Sequence, residues 1–131
     1  MRFLFGDQET LEGLKMRKIT RQIMKAWITG REKKIGNTST DGESVWLHGN
    51  KIIEIRGDDV WGTLAGWNTP TTKERLNGIT GGHFSTIQFQ PCFDGEPIND
   101  TDWIKIGPLT QCRKHYLENR WDAASEWRHY V

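Results

Sequence analysis

Eight lysines and arginines lie between Gly13 and Lys34 (Lys15, Arg17, Lys18, Arg21, Lys25, Arg31, Lys33 and Lys34), opposed there by Glu32 alone. Cations spaced along an exposed helix can neutralise phosphates, and such binding weakens steeply with salt. Trp27, in the same stretch, could stack on a base. The competing reading is a solvated helix face whose Trp27 packs into the core. A second cationic pair, Lys73 and Arg75, follows Thr71 and Thr72 at a helix start. Free N–H groups and hydroxyls there can hold an anion. Equally, Thr71 and Glu74 have capping-box spacing, which would leave two surface cations beside an ordinary cap.

Other constellations carry less. Asp94, Glu96, Asp100 and Asp102 alternate in DGEPINDTD, but Pro97 and the spacing do not fit an EF-hand loop, so a polar hairpin tip is expected. Cys112 and His115 are three apart on a predicted helix, whereas a structural zinc site needs four such ligands. His48, Cys92, His83 and His129 supply no second close pair. No nucleophile motif accompanies His48, and Glu54 and Asp58-Asp59 form no recognised catalytic signature. The chain is therefore expected to bind, not to catalyse, with no cofactor and no resident metal. A small metal-dependent nuclease using the acidic positions stays open as an alternative.

The elements that must position these residues follow from composition and pattern. At 131 residues the chain fits one domain, spanning 1–131. Its 35% hydrophobic content is low, but seven Trp and five Phe offset the shortage of aliphatic side chains. No apolar run reaches the length of a membrane span and no secretory signal opens the chain, so a cytoplasmic protein with Cys92 and Cys112 reduced is expected. The net charge of +1 conceals polarity. Residues 1–34 hold nine basic and four acidic side chains, and residues 35–131 hold nine basic and thirteen acidic. Such asymmetry suits a polyanionic partner, or an arm that docks on the acidic remainder.

Asp7, with Glu9 and Glu12 behind it, reads as the start of an amphipathic helix over 8–29 whose stripe includes Ile19, Ile23 and Trp27. A basic, mobile link to about Ser39 follows. Val45 and Leu47 alternate with Trp46 and His48, and Gly49-Asn50 and Gly57-Asp58 separate three strands of an antiparallel meander. A short helix begins near Thr71 and ends at Gly78 or at Gly81-Gly82. Phe84–Gln90 reads as a strand, Asp94-Gly95 as a hairpin turn, and a return arm runs toward Trp103–Ile106. Gly107-Pro108 breaks the chain before a final helix over 110–130. The fold class is α+β, a mainly antiparallel sheet flanked by N- and C-terminal helices.

LHGN at Leu47–Asn50, AGW at Ala65–Trp67 and TTKERLNGI at Thr71–Ile79 resemble a small domain common in bacteriophage proteins. Its members read as a strand ending in LHGN, a second strand, a GW pair, a TTK/R-x-RLN helix and an aromatic hairpin. The resemblance covers about residues 38–106 and leaves both flanking helices outside. It implies a phage or prophage origin and a small α+β fold, and it implies no reaction. With the polarised charge, it leads to the expectation of a binding protein in the host cytoplasm. The expected action is to inhibit or redirect a host nucleoprotein or defence complex, in the manner of an anti-CRISPR protein. Direct DNA or RNA binding through Lys15–Lys34, with Lys73 and Arg75, is the alternative, and apolar helix stripes could pair two copies into a homodimer.

Overall fold

The computed structural model describes residues 16–120. Helix α1 (Lys18–Ile28) leads into strands β1 (Lys33–Ile35), β2 (Thr38–Thr40), β3 (Val45–Leu47), β4 (Asn50–Arg56) and β5 (Asp59–Gly62). Helix α2 (Pro70–Thr80) is followed by β6 (Phe84–Ile87), β7 (Gln90–Phe93), β8 (Glu96–Pro97), β9 (Ile104–Pro108) and α3 (Leu109–Asn119). The main sheet has the order β9-β5-β4-β3-β2-β1, and β6-β7-β8 form a second, smaller one. All neighbours are antiparallel. The α+β class with flanking helices is as the sequence indicates.

Consecutive apolar residues in β4 show how the sheet acquires its inner face. Ile52 and Ile53 are both buried, which strict alternation forbids. The register slips between Val45 and Trp46, so that an extra residue of β4 opposes β3 and both isoleucines turn inward. With Val45, Leu47, Val60 and Leu64 they meet Ile23, Met24 and Trp27 of α1, Leu76 and Ile79 of α2, and Cys112 of α3. The apolar stripe of α1 thus closes the core, and Trp27 donates its indole N–H to the Glu43 carbonyl at 2.9 Å. Trp27 is not available to stack on a base.

Helix α1 has no side-chain cap of its own. Glu74 of α2 supplies one: its carboxylate accepts from the Arg17 backbone N–H at 3.2 Å and from the Thr20 hydroxyl at 2.6 Å. A negative charge at that end also opposes the helix dipole favourably. The Thr71/Glu74 capping box is consequently not formed. The N-cap of α2 is Thr69, whose hydroxyl accepts from Thr72 N–H at 3.1 Å, with Pro70 in the first turn.

Several boundaries differ from expectation. The stretch expected as a mobile link forms β1 and β2, closed by Gly36 and Asn37. The β3–β4 turn is His48-Gly49, one residue early, both with positive φ as a type I′ turn requires. Phe84–Gln90 is not one strand, since Gln88-Phe89 turn it back. Gly107 and Pro108 belong to β9, with a bulge between Lys105 and Gly107. The proposed Asp7 cap, residues 8–15 of the first helix and the last residues of 110–130 lie outside the described residues.

Candidate nucleic-acid interface

The two faces of the main sheet differ in kind. Facing away from the helices, Lys34, Ser39, Trp46 and Lys51 stand in one cross-strand row, and Glu54, Trp61 and Lys105 in another. Arg56 and Asp59 form a third pair. Every one of these residues is exposed or half-buried. Period-2 alternation puts one set of side chains in the core and this set outside.

The outer set combines indoles with cations. The Arg56 guanidinium lies 4.6 Å from the Trp61 ring centroid and 5.0 Å from that of Trp103, so both indoles flank it. Lys51 Nζ is 5.7 Å from the centroid of Trp46. Each such contact adds about 0.5–1 kcal/mol at an exposed site, so the pairs also stabilise the sheet. Glu54 sits between the cations, accepting from Arg56 Nε and, at 3.4 Å, from Lys51 Nζ. The Arg56 hydrogen bond, helped by Lys51, holds the Glu54 carboxyl below the usual carboxylate range despite partial burial. Lys105 pairs with Asp59 at 3.4 Å. Four cations (Lys34, Lys51, Arg56 and Lys105) therefore face two carboxylates among three half-exposed indoles.

Planar aromatic and guanidinium groups are surfaces on which unstacked bases rest, and flanking cations meet the phosphates. The signal for this face was in the sequence. An outward Trp alternates with inward Val and Leu in β3, and another alternates with Val60 in β5. What was missing was the pairing that lines them up.

The described cations singled out by charge density lie on or beside α1, the β1 strand and α2. Lys15 lies outside the described residues. Arg17, Lys18 and Lys25 are exposed on or beside α1, and Arg31 and Lys33 are exposed near the β1 edge. Lys34 alone of that group joins the outer sheet face. Arg21 donates through Nη1 to the Asn119 carbonyl at 2.9 Å, binding α1 to the end of α3. Partial burial pushes its pKa down. Lys73 donates to Asn68 Oδ1 at 3.0 Å and to the Thr86 hydroxyl, and burial likewise lowers its pKa.

Arg75 is a correction. Only 2% exposed, it donates through Nε to Thr38 Oγ1 at 3.0 Å and through Nη1 to Thr20 Oγ1 at 3.2 Å and to Glu74. It knits α1, α2 and β2 together and presents nothing to a partner.

Two further candidates resolve as architecture. His115 Nε2 donates to the Gly78 carbonyl at 2.7 Å and its ring packs on Gly81, so it clasps α3 to α2. Cys112 and Cys92 are buried free thiols, and burial raises the Cys112 pKa to about 11. Among the described residues no group of three or more His, Cys, Asp or Glu could hold a metal ion. None of the described helices is long and apolar enough to cross a membrane.

The residues of LHGN, AGW and TPTT meet elsewhere. Leu47, His48, Asn50, Ile52, Leu64, Trp67, Thr69, Thr71 and Thr72 line a cleft of about 530 Å³ on the helix side of the sheet. From TTKERLN, Asn77 grips β6 through both the N–H and the C=O of Phe84, at 2.7 and 2.9 Å.

A family model described as Kyanoviridae Gp96 protein matches residues 16–111. Neither the curated proteins nor the solved structures contain a match to the chain.

Proposed function

We propose a binding role for this chain, which belongs to the Kyanoviridae Gp96 protein family and is a phage protein. Its ligand is single-stranded nucleic acid, held on the outer face of the main sheet. The observation that carries this is the cluster of Trp46, Trp61 and Trp103, half-exposed and interleaved with Lys51, Arg56 and Lys105 on a face with no buried residue. Stacking is indifferent to sequence and contributes about 1–3 kcal/mol per base, so three indoles and flanking cations suffice for a sequence-tolerant grip. This replaces the basic helix as the surface for direct binding. Arg75 is buried and Trp27 is in the core.

A strand held in a host defence complex offers the same bases and phosphates. Interference with such a nucleoprotein complex in the host cytoplasm, in the manner of an anti-CRISPR protein, is the use to which we assign the platform. Membership of a phage family supports that use.

Fluorescence anisotropy with a labelled single-stranded oligonucleotide tests the binding at two salt concentrations. Association at low salt is expected, weaker at high salt, with each lost cation reducing the salt slope by about 0.7. Lys51→Ala and Lys105→Ala should each weaken binding, whereas Lys25→Ala on α1 should not. Absence of association at low salt, or an equal loss in Lys25→Ala, would overturn the assignment.

A further inference from the structure

Across the sheet from the indole–cation cluster, and independent of it, lies the cleft at the start of α2. Three segments far apart in the chain, LHGN, AGW and TPTT, converge on it. Leu47, Ile52 and Leu64 form its floor, and Trp67 is a wall. Trp67 is 58% exposed, yet its backbone is held on both sides. Its N–H donates to the Leu64 carbonyl at 2.8 Å, and its carbonyl accepts from the Thr69 N–H at 2.9 Å. The two residues between Leu64 and Trp67, Ala65 and Gly66, have φ of 54° and 84°, and the Gly66 N–H ties the turn to the Asp100 carbonyl at 2.8 Å. The indole is thus fixed in place with much of it open to solvent.

The polar groups around that wall are few and have hydrogen-bonding capacity to spare. His48 stands in the β3–β4 turn, its backbone N–H bonded to the Asn37 carbonyl at 2.8 Å. Asn37 Nδ2 donates to His48 Nε2 at 3.3 Å, so Nε2 is the acceptor and the imidazole proton sits on Nδ1. The Asn50 amide and the Thr71 hydroxyl have no hydrogen-bond partner among the described residues. The lining carries no Lys, Arg, Asp or Glu.

We propose that this cleft binds a flat, uncharged heteroaromatic molecule of nucleoside size. Its volume of about 530 Å³ lies within the range of about 300–1,000 Å³ typical of small-molecule sites, which combine an apolar lining with a few placed polar groups. A flat ring stacks on the indole. An amide presents a donor and an acceptor side by side, which match the amino group and ring nitrogen that adjoin in adenine and cytosine. An aliphatic ligand would cover the floor but leave the amide, imidazole and hydroxyl unmatched. An ionised group would enter without a counter-charge, so the phosphates of a nucleic-acid strand favour the outer face instead.

Titration of the ¹⁵N-labelled full chain with adenosine and with cytidine tests this through the indole N–H signal of Trp67. At least one of the two should shift that signal saturably, with a dissociation constant of about 10 μM to 1 mM, as suits a ligand of this size. Trp67→Ala, a change at an exposed side chain, should weaken binding about tenfold or more in calorimetry, with an unchanged far-ultraviolet spectrum. Asn50→Ala should weaken it too, whereas Trp67→Phe, which keeps a ring, should retain most of the affinity. Adenosine 5′-monophosphate should bind no more tightly than adenosine. Absence of a saturable Trp67 shift with either nucleoside at millimolar concentration overturns the proposal. So does full affinity in both alanine variants, since the ligand then lies elsewhere. A monophosphate bound much more tightly than the nucleoside also overturns it, since a phosphate is then recognised in place of the ring.

Discussion

Arg75 shows how far a residue's role can lie from its neighbours in sequence. Its partners Thr38 and Thr20 are 37 and 55 positions away, so a lysine–arginine pair after two threonines looked like surface charge. Breaking a buried, hydrogen-bonded ion pair from one side costs about 3–5 kcal/mol. Arg75→Ala should lower stability by that amount in urea unfolding, and Glu74→Ala should also be strongly destabilising because it leaves the guanidinium buried. Two carboxylates carry pH dependence. Asp41 is held below its usual range by the backbone N–H groups of Ser44 and Glu43, and Glu54 by Arg56. A carboxyl whose folded pKa is depressed stabilises above its unfolded pKa, and that contribution vanishes as pH falls through the folded one. Stability should therefore decline below about pH 4, and the decline should be shallower in Asp41→Asn and Glu54→Gln. The buried Cys112 thiol, its pKa raised to about 11, should react with a thiol reagent at neutral pH only on unfolding.

Helices and strands were legible where one periodicity ran unopposed. The α1 stripe, the α2 core pair Leu76 and Ile79, and the Gly57-Asp58 turn all followed from local pattern. The exceptions have local physical causes. Gln88-Phe89 carries no turn residue, so a hairpin was read as one strand. The β1–β2 pair is rich in Lys and Thr and gains its order by extending an existing sheet edge. Of the two stops the sequence offered, Gly78 and Gly81-Gly82, the second holds: α2 runs to Thr80 with Gly81 as its left-handed C-cap, and Gly78 is interior, against Thr20 of α1. A Cβ at Gly78 would come within 2.5 Å of Thr20 Cγ2. Gly78→Ala should therefore destabilise by about 1–3 kcal/mol, the range for overpacking, although alanine is the better helix former. Gly42→Ala should also destabilise, since its φ is +95° and its Cβ would meet the Gly30 backbone at 2.6 Å. Thermal melts of the two variants check both.

At the scale of the whole molecule, one six-stranded sheet separates two kinds of surface. Its inner face and the three described helices form the core, and the residues that define the phage-protein resemblance mostly serve that architecture. Asn77 grips β6, Glu74 caps α1 and Arg75 closes the network between them. The outer face holds the indole–cation cluster, which no motif announced because its members come from separate strands. Charge counting pointed to the basic N-terminal stretch, yet of its described cations only Lys34 joins the cluster. The central claim is that bases stack on this face, and the indole N–H signals in a ¹H–¹⁵N spectrum report on it directly. On titration with a single-stranded oligonucleotide, the signals of Trp46, Trp61 and Trp103 should shift together. That of Trp27, hydrogen-bonded in the core, and that of Trp67, in the cleft, should stay in place. Shifts confined to Trp67, or no shift at any of the three outer indoles, would contradict binding on the sheet.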